Sequence, residues 1–238
     1  MRVIAHPDPQ TLAEAAAAAI TATIAKTEGA RVSVGLAGGS TPKDTYGRLV
    51  NHPVPWERVD LWLSDERWVA HDDTDSNGLM AHEALVSRVP AAFHRPRWSS
   101  YLTAADSAAF YEAELRRIMP DGVADLVLLG MGTDGHTASL FPGTTGLDEH
   151  DRWFIANAVP QLDTWRLTAT ATMIQRARTV IVLTAGSSKA EVLAEVLEGP
   201  DGVHPIQLLR HAVGEVLWMV DDAAAAGLTS TPVERPSL

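Results

Sequence analysis

Short apolar runs alternate with helical patterns along most of the chain. Val32–Leu36, Val59–Ser64 and Val180–Thr184 read as apolar strands, and Leu126–Leu129 is a continuous apolar run, as expected of a strand buried on both faces. Arg2–Ala5 and Val216–Val220 read as two further strands, and Phe154–Val159 and Leu167–Ala169 as weaker ones. Helical patterns run over about Thr11–Lys26, from near Pro42, from Ser76 (as N-cap) to Leu85, over Ala104–Met119 and over Ser187–Leu197. A short alanine-rich helix follows Val220. Strand–helix alternation predicts an α/β fold: a Rossmann-like, mostly parallel sheet flanked by helices, its strands joined by right-handed crossovers. Pro90–Ser100 reads as a surface loop, with the hinge of a small subdomain as the alternative, and Thr231–Leu238 as a frayed tail. With 238 residues, no fixed-period repeat and no low-complexity linker, one domain over residues 1–238 is expected.

Composition narrows the partners. Hydrophobic residues at 46% and charged residues at 21% exclude disorder as the main state. A net charge of −11 argues against nucleic acid, whose phosphates need a basic face. Cysteine is absent, which removes disulfides, Cys-ligated zinc, iron–sulfur clusters and thiol nucleophiles, and suits a reducing cytoplasm, the expected location. The opening MRVIAHPDPQ has no apolar h-region, and the run Ala15–Ala19 sits between Glu14 and Lys26, so neither a signal peptide nor a membrane partner is expected.

The unusual polar clusters all fall at predicted strand ends: AGGSTP (Ala37–Pro42), SDER (Ser64–Arg67), GMGTDGHTASLFPG (Gly130–Gly143) and AGSSKA (Ala185–Ala190). If the strands are parallel, the four share the rim where open α/β sheets bind ligands. Gly38 and Gly39 let backbone approach an anion, Ser40 and Thr41 add hydroxyls, and Pro42 suits a first helical turn whose free N–H groups favour phosphate or carboxylate. No Gly-Lys-Ser/Thr follows, so this is not a Walker A loop. Lys189 offers a point charge, and Arg67 and Arg166 offer guanidinium groups suited to two parallel bonds with an oxyanion. Arg67 also has Asp65 and Glu66 nearby as surface ion-pair partners.

Asp134-Gly135-His136 is the most specific local feature. Gly130, Gly132 and Gly135 permit a tight turn that exposes His136 at the rim, and a neutral imidazole accepts a proton from water near neutral pH. Asp134 or Asp65 would orient that ring and stabilise its imidazolium. The other histidines show no paired zinc spacing and no G-x-S-x-G elbow is present, so neither a metal nor a serine triad is expected.

Together AGGSTP, DERWV (Asp65–Val69), Ser76-Asn77, DGHTASLFPG (Asp134–Gly143), RLT (Arg166–Thr168) and SSKA (Ser187–Ala190) resemble the 6-phosphogluconolactonases, within the larger glucosamine-6-phosphate isomerase/deaminase-like group. DGHTASLFPG is the most discriminating piece. Family members often carry Ser where Ala37 stands and Pro where Ala70 stands. The resemblance implies a carboxylic ester hydrolase that opens 6-phospho-D-glucono-1,5-lactone without a cofactor; a monomer or small homo-oligomer is expected. In that chemistry Gly38, Gly39, Ser40, Thr41, Arg166, Lys189 and Arg67 would hold the phosphate, and His136 would be general base. Arg67 or backbone N–H groups would stabilise the oxyanion.

Two alternatives are an amino-sugar-phosphate isomerase/deaminase and a sugar-phosphate sensor without catalysis. The deaminases share the Asp at the place of Asp65 and the Asp-Gly-His turn. They also carry a Glu five residues after that His, where this chain has Phe141, which transfers no proton. A sensor needs an output module, and no basic recognition helix is evident.

Overall fold

The computed structural model describes residues 1–236. In chain order the regular elements are β1 (Arg2–His6), α1 (Pro9–Lys26), β2 (Val32–Leu36), α2 (Ser40–Leu49), β3 (Val59–Leu63) and β4 (Asp65–Arg67). Next come α3 (Asn77–Ala84), β5 (Ala92–His94), α4 (Ala104–Ile118), β6 (Leu126–Gly130), β7 (Phe154–Val159) and β8 (Thr164–Ala169). The chain continues through α5 (Ala171–Gln175), β9 (Thr179–Thr184), α6 (Ala190–Glu198), β10 (Glu215–Asp221), α7 (Asp222–Ala225) and β11 (Val233–Glu234).

Eight strands form one sheet in the order β11-β1-β10-β9-β6-β2-β3-β5, all neighbours parallel. The fold is therefore the expected α/β arrangement, with a mostly parallel sheet between helices. From β2 the chain steps outward through β3 to β5, then returns beside β2 as β6 and proceeds the other way to β9 and β10. The boundary between β2 and β6 is thus a topological switch point, where neighbouring crossovers leave in opposite directions and open a crevice at the strands' carboxyl ends.

Pleating divides the central strands between two apolar layers. Leu126 and Leu128 face the layer containing Leu12 and Ile20 of α1 and Tyr46 of α2, whereas Val127 and Leu129 face that of Tyr111 and Leu115 of α4 and Leu193 of α6. Two fully buried tyrosines also fix strand ends. The Tyr46 hydroxyl donates to the Ala37 carbonyl and accepts from the Ala37 N–H (2.9 Å each), at the point where β2 becomes the Gly-rich loop. The Tyr111 hydroxyl accepts from Leu63 N–H (2.8 Å) and donates to the His94 carbonyl (3.0 Å), tying β3 to β5.

Three expectations need correction. Pro90–Ser100 is not wholly a loop, because Ala92–His94 pairs with Asp60–Trp62 as an edge strand too short to show a period. The tail is not wholly frayed either: Val233 and Glu234 pair with Val3 and Ile4, and Arg2 and Glu234 join in a two-bond ion pair (2.9 and 2.7 Å). The last two residues of that tail lie outside the described residues. Finally, Asp65–Arg67, read as polar residues after a strand, is itself a strand in a small antiparallel sheet, β4-β8-β7. That sheet, rather than Pro90–Ser100, is where a second unit of structure arises. Among the described residues, no helix is long and apolar enough to cross a membrane.

Candidate active site

Because β2, β3, β6 and β9 are parallel, the clusters that follow them meet on one rim. They surround a cleft of about 250 Å³ lined by Gly38, Gly39, Asp65, Arg67, His136 and Lys189, together with Ala37, Asn77, Gly130, Met131, Gly132 and Ala138. Six of the ten predicted site residues line the cleft itself. Of the other four, Ser40 and Thr41 open α2 beside it, Asp134 stands behind His136, and Arg166 lies on β8 opposite Arg67.

Helix ends explain part of the cleft's character. Asp8, Ser76, Thr103, Thr170 and Asp221 each accept backbone N–H bonds and so cap α1, α3, α4, α5 and α7. No side chain caps α2, which opens after Gly39, or α6, which opens after Lys189. Both of these uncapped helices begin at the cleft. Their first-turn N–H groups carry partial positive charge and are suited to an anion.

His136 is held from several sides. Its Nδ1 lies 2.6 Å from Asp134 Oδ1, and its backbone N–H donates to the same oxygen at 3.1 Å. Phe141 stacks on the ring, with centroids 4.0 Å apart and planes 27° from parallel. Nε2 is the ring nitrogen that Asp134 leaves unengaged. Burial alone would raise the Asp134 carboxyl, but the His136 N–H bond and the neighbouring ring outweigh it and hold the carboxyl below its ordinary value. The carboxylate bonded to the ring is Asp134. Asp65 is buried and engaged elsewhere, accepting from Ser139 Oγ at 2.6 Å and from Asn77 Nδ2 at 3.2 Å.

Three cations face this region. Lys189 is lowered from the ordinary lysine value by burial, against the pull of Asp134. Arg166 is lowered by burial and next by the charge of Arg67, its cross-strand partner. Arg67 donates to the Asp75 backbone carbonyl. Among the described residues, no group of three or more His, Asp or Glu side chains is arranged to hold a metal.

Two contributors escaped sequence reasoning. Asn77, which the resemblance had matched without a role, donates from Nδ2 to the Asp65 carbonyl at 3.0 Å and packs on the Gly-rich loop. A Cβ on Gly38 would lie 2.1 Å from Asn77 Oδ1, so no side chain fits there. The second, Glu66, is buried and faces away from the cleft. It accepts four bonds: from Asn77 N–H (2.7 Å), Gly78 N–H (2.7 Å), Arg67 N–H (2.8 Å) and Ser76 Oγ (2.9 Å). Pleating of β4 thus sends Asp65 and Arg67 into the cleft and Glu66 onto the start of α3. The signal available for both residues was the Ser76 N-cap, which puts Asn77 at the first turn of a helix near the DER strand.

The sequence matches the glucosamine-6-phosphate isomerases/6-phosphogluconolactonase family over residues 7–218. It is 36% identical over 231 residues to a 6-phosphogluconolactonase of Synechocystis sp., covering 92% of this chain and 95% of that one. The structure superposes on a 6-phosphogluconolactonase from Trypanosoma cruzi with a TM-score of 0.87 and 30% identity, over 96% and 97% of the two chains. It also superposes on a monomeric glucosamine-6-phosphate deaminase at 22% identity and a TM-score of 0.80, over 95% and 100% of the chains, a likeness of fold alone. The chain belongs to the glucosamine-6-phosphate isomerase/6-phosphogluconolactonase family, on its lactonase branch.

Proposed function

We propose that the chain hydrolyses 6-phospho-D-glucono-1,5-lactone to 6-phospho-D-gluconate, the second step of the oxidative pentose phosphate branch, with His136 as general base. The observation that carries this reading is the Asp134–His136 pair, aimed into a cleft whose edges are cationic. The phosphate is held by the N–H groups that open α2 and by Arg166, Lys189 and Arg67, with Gly38, Gly39, Ser40 and Thr41 forming the cradle. His136 Nε2 takes a proton from water as the oxygen attacks the lactone carbonyl, and Asp134 stabilises the imidazolium. Arg67 or Gly-rich backbone N–H groups stabilise the developing oxyanion. The C–O bond to the ring oxygen then breaks, and His136 returns its proton to that oxygen. The lactone is reactive by itself, so base catalysis and positioning suffice without a cofactor. Asp65 serves as a fixed wall, anchored through Ser139 and Asn77, rather than as partner to the imidazole.

Phe141 distinguishes this reading from the deaminase chemistry. Where the deaminases have a carboxylate, this chain has an aromatic ring stacked on the base. A coupled assay of lactone disappearance, corrected for spontaneous hydrolysis, tests the proposal, and glucosamine-6-phosphate is the control substrate. Enzymatic lactone opening with no ammonia from the amino sugar is expected. Efficient ammonia release would overturn it.

A further inference from the structure

The Asp134–Gly135–His136 turn is braced from behind by a segment far away in sequence. His204 Nδ1 lies 3.3 Å from the Asp134 carbonyl oxygen, and Ile206 N–H donates to the Gly135 carbonyl (3.0 Å). Two successive carbonyls of the turn are therefore taken by one three-residue stretch. The other ring nitrogen, His204 Nε2, lies 2.8 Å from the Glu195 carboxylate on α6. The stretch is itself held in place: Gln207 Oε1 accepts from Val203 N–H (2.8 Å) and His204 N–H (3.0 Å). Gly135 is buried with φ +75°, and a Cβ on it would lie 2.4 Å from His204 Nδ1. The turn and the imidazole are thus packed against each other with no room for a methyl group.

We propose that His204 is a positioning residue for the base: with Glu195 it fixes the Asp134 backbone and thereby the carboxylate that orients His136. This rests on the reading of His136 as general base. The order of contacts is Glu195, His204, Asp134 carbonyl, Asp134 carboxylate, His136 ring. Three of these joints are polar contacts and the fourth is the Asp134 residue itself, and the chain starts on α6, the helix that opens beside Lys189. One helix therefore sets both a cation at the cleft and the attitude of the base. A buttress of this kind acts on geometry at the reacting centre, where displacements on the order of 1 Å cost roughly a hundredfold in rate. It does not touch the phosphate cradle, so substrate affinity is left alone.

The test compares the parent enzyme with His204→Ala, His204→Asn, Glu195→Ala and His136→Ala, for kcat, KM and the His136 Nδ1 proton resonance. His204→Asn places an amide N–H near the position of Nδ1 and is the conservative rescue. The brace predicts that His204→Ala lowers kcat about ten- to a hundredfold with KM within about twofold, and that His204→Asn recovers most of the loss. The low-field Nδ1–H signal of His136, sheltered by Asp134 in the parent, should be lost in His204→Ala and return in His204→Asn. A folded His204→Ala protein with parental kcat overturns the inference, as does an Asn variant as impaired as Ala. Should His204→Ala fail to fold, Glu195→Ala decides: a fall of kcat by about threefold at constant KM is expected, and no change overturns the brace. If the parent opens no lactone, or His136→Ala keeps full rate, the proposed reaction fails instead. The Nδ1 resonance still reports on the brace in that case.

Discussion

Arg67 and Arg166 stand directly opposite each other across the β4–β8 pair, two cations placed where a strand pair usually sets complementary groups. Like charges at such positions destabilise a sheet by up to about 1 kcal/mol. Asp65, Asp75 and Glu66 pull Arg166 upward without overcoming burial and Arg67. An anion between the two guanidinium groups would relieve that repulsion. Arg166→Thr is expected to raise the melting temperature of the ligand-free protein slightly while raising KM. Bonds to charged groups contribute about 1.5–3 kcal/mol, so KM should rise roughly ten- to a hundredfold with kcat little changed. A thermal melt beside steady-state kinetics checks both halves, and an unaltered KM would remove Arg166 from the phosphate site.

Replacing His136 by Ala should leave binding of inorganic phosphate intact and lower kcat by roughly 10²–10⁴-fold, the contribution of a positioned general base. Asp134→Asn keeps the size of the side chain but supplies no charge to an imidazolium, so kcat should fall at least about tenfold. Isothermal calorimetry and turnover on the same preparations separate anchor from base. A KM effect at His136 and a kcat effect at Arg166 would mean that these roles are exchanged.

Lys189 gives a pH signature. Burial lowers it, so as pH rises it surrenders its proton earlier than an ordinary lysine, and phosphate affinity should weaken over that alkaline interval. An anion favours the charged form, so binding there draws a proton from solution. Calorimetry of 6-phosphogluconate binding in two buffers of different ionisation enthalpy should show the uptake, and Lys189→Arg should abolish it. Equal heats in both buffers for the parent would exclude Lys189 from the site.

Glu66→Gln tests the joint between β4 and α3. The amide offers one acceptor atom to four donors, and each buried donor left unpaired costs about 1–3 kcal/mol. Burial raises the Glu66 carboxyl despite those donors. A raised carboxylate favours the folded state below the unfolded pKa, and that contribution is lost as pH climbs through the folded one. The stability of the parent relative to Gln should accordingly decline with rising pH from the ordinary glutamate range upward. Denaturant melts across that interval measure it, and a flat difference would contradict the assignment.

The rim was legible in sequence because its two signals are local: apolar runs mark buried strands, and the polar, Gly-rich clusters follow them directly. The Asp134-Gly135-His136 turn was equally legible, since its three residues are contiguous. The small antiparallel sheet was not. Asp65–Arg67 is a strand whose burial rests on Ser139, Asn77 and the α3 start rather than on apolar neighbours, so no hydrophobic period announces it. His204 was likewise invisible, because its partners Asp134 and Glu195 meet it only once β6, α6 and the segment after α6 are packed together. Which carboxylate orients the imidazole could not be read from spacing alone, since Asp65 and Asp134 both follow strands of the same rim.

The alternation within β4 limits how the chain can vary in length. A one-residue insertion or deletion between Ser64 and Ser76 that shifted this strand would turn Glu66 into the cleft and withdraw Asp65 and Arg67 from it. The strand would then offer the cleft one carboxylate and no guanidinium, in place of one of each, and α3 would lose its anchor in the same event. Single substitutions around the cleft can be graded in effect, but a frame slip of one position here removes a cation from the cleft and unseats α3 at once.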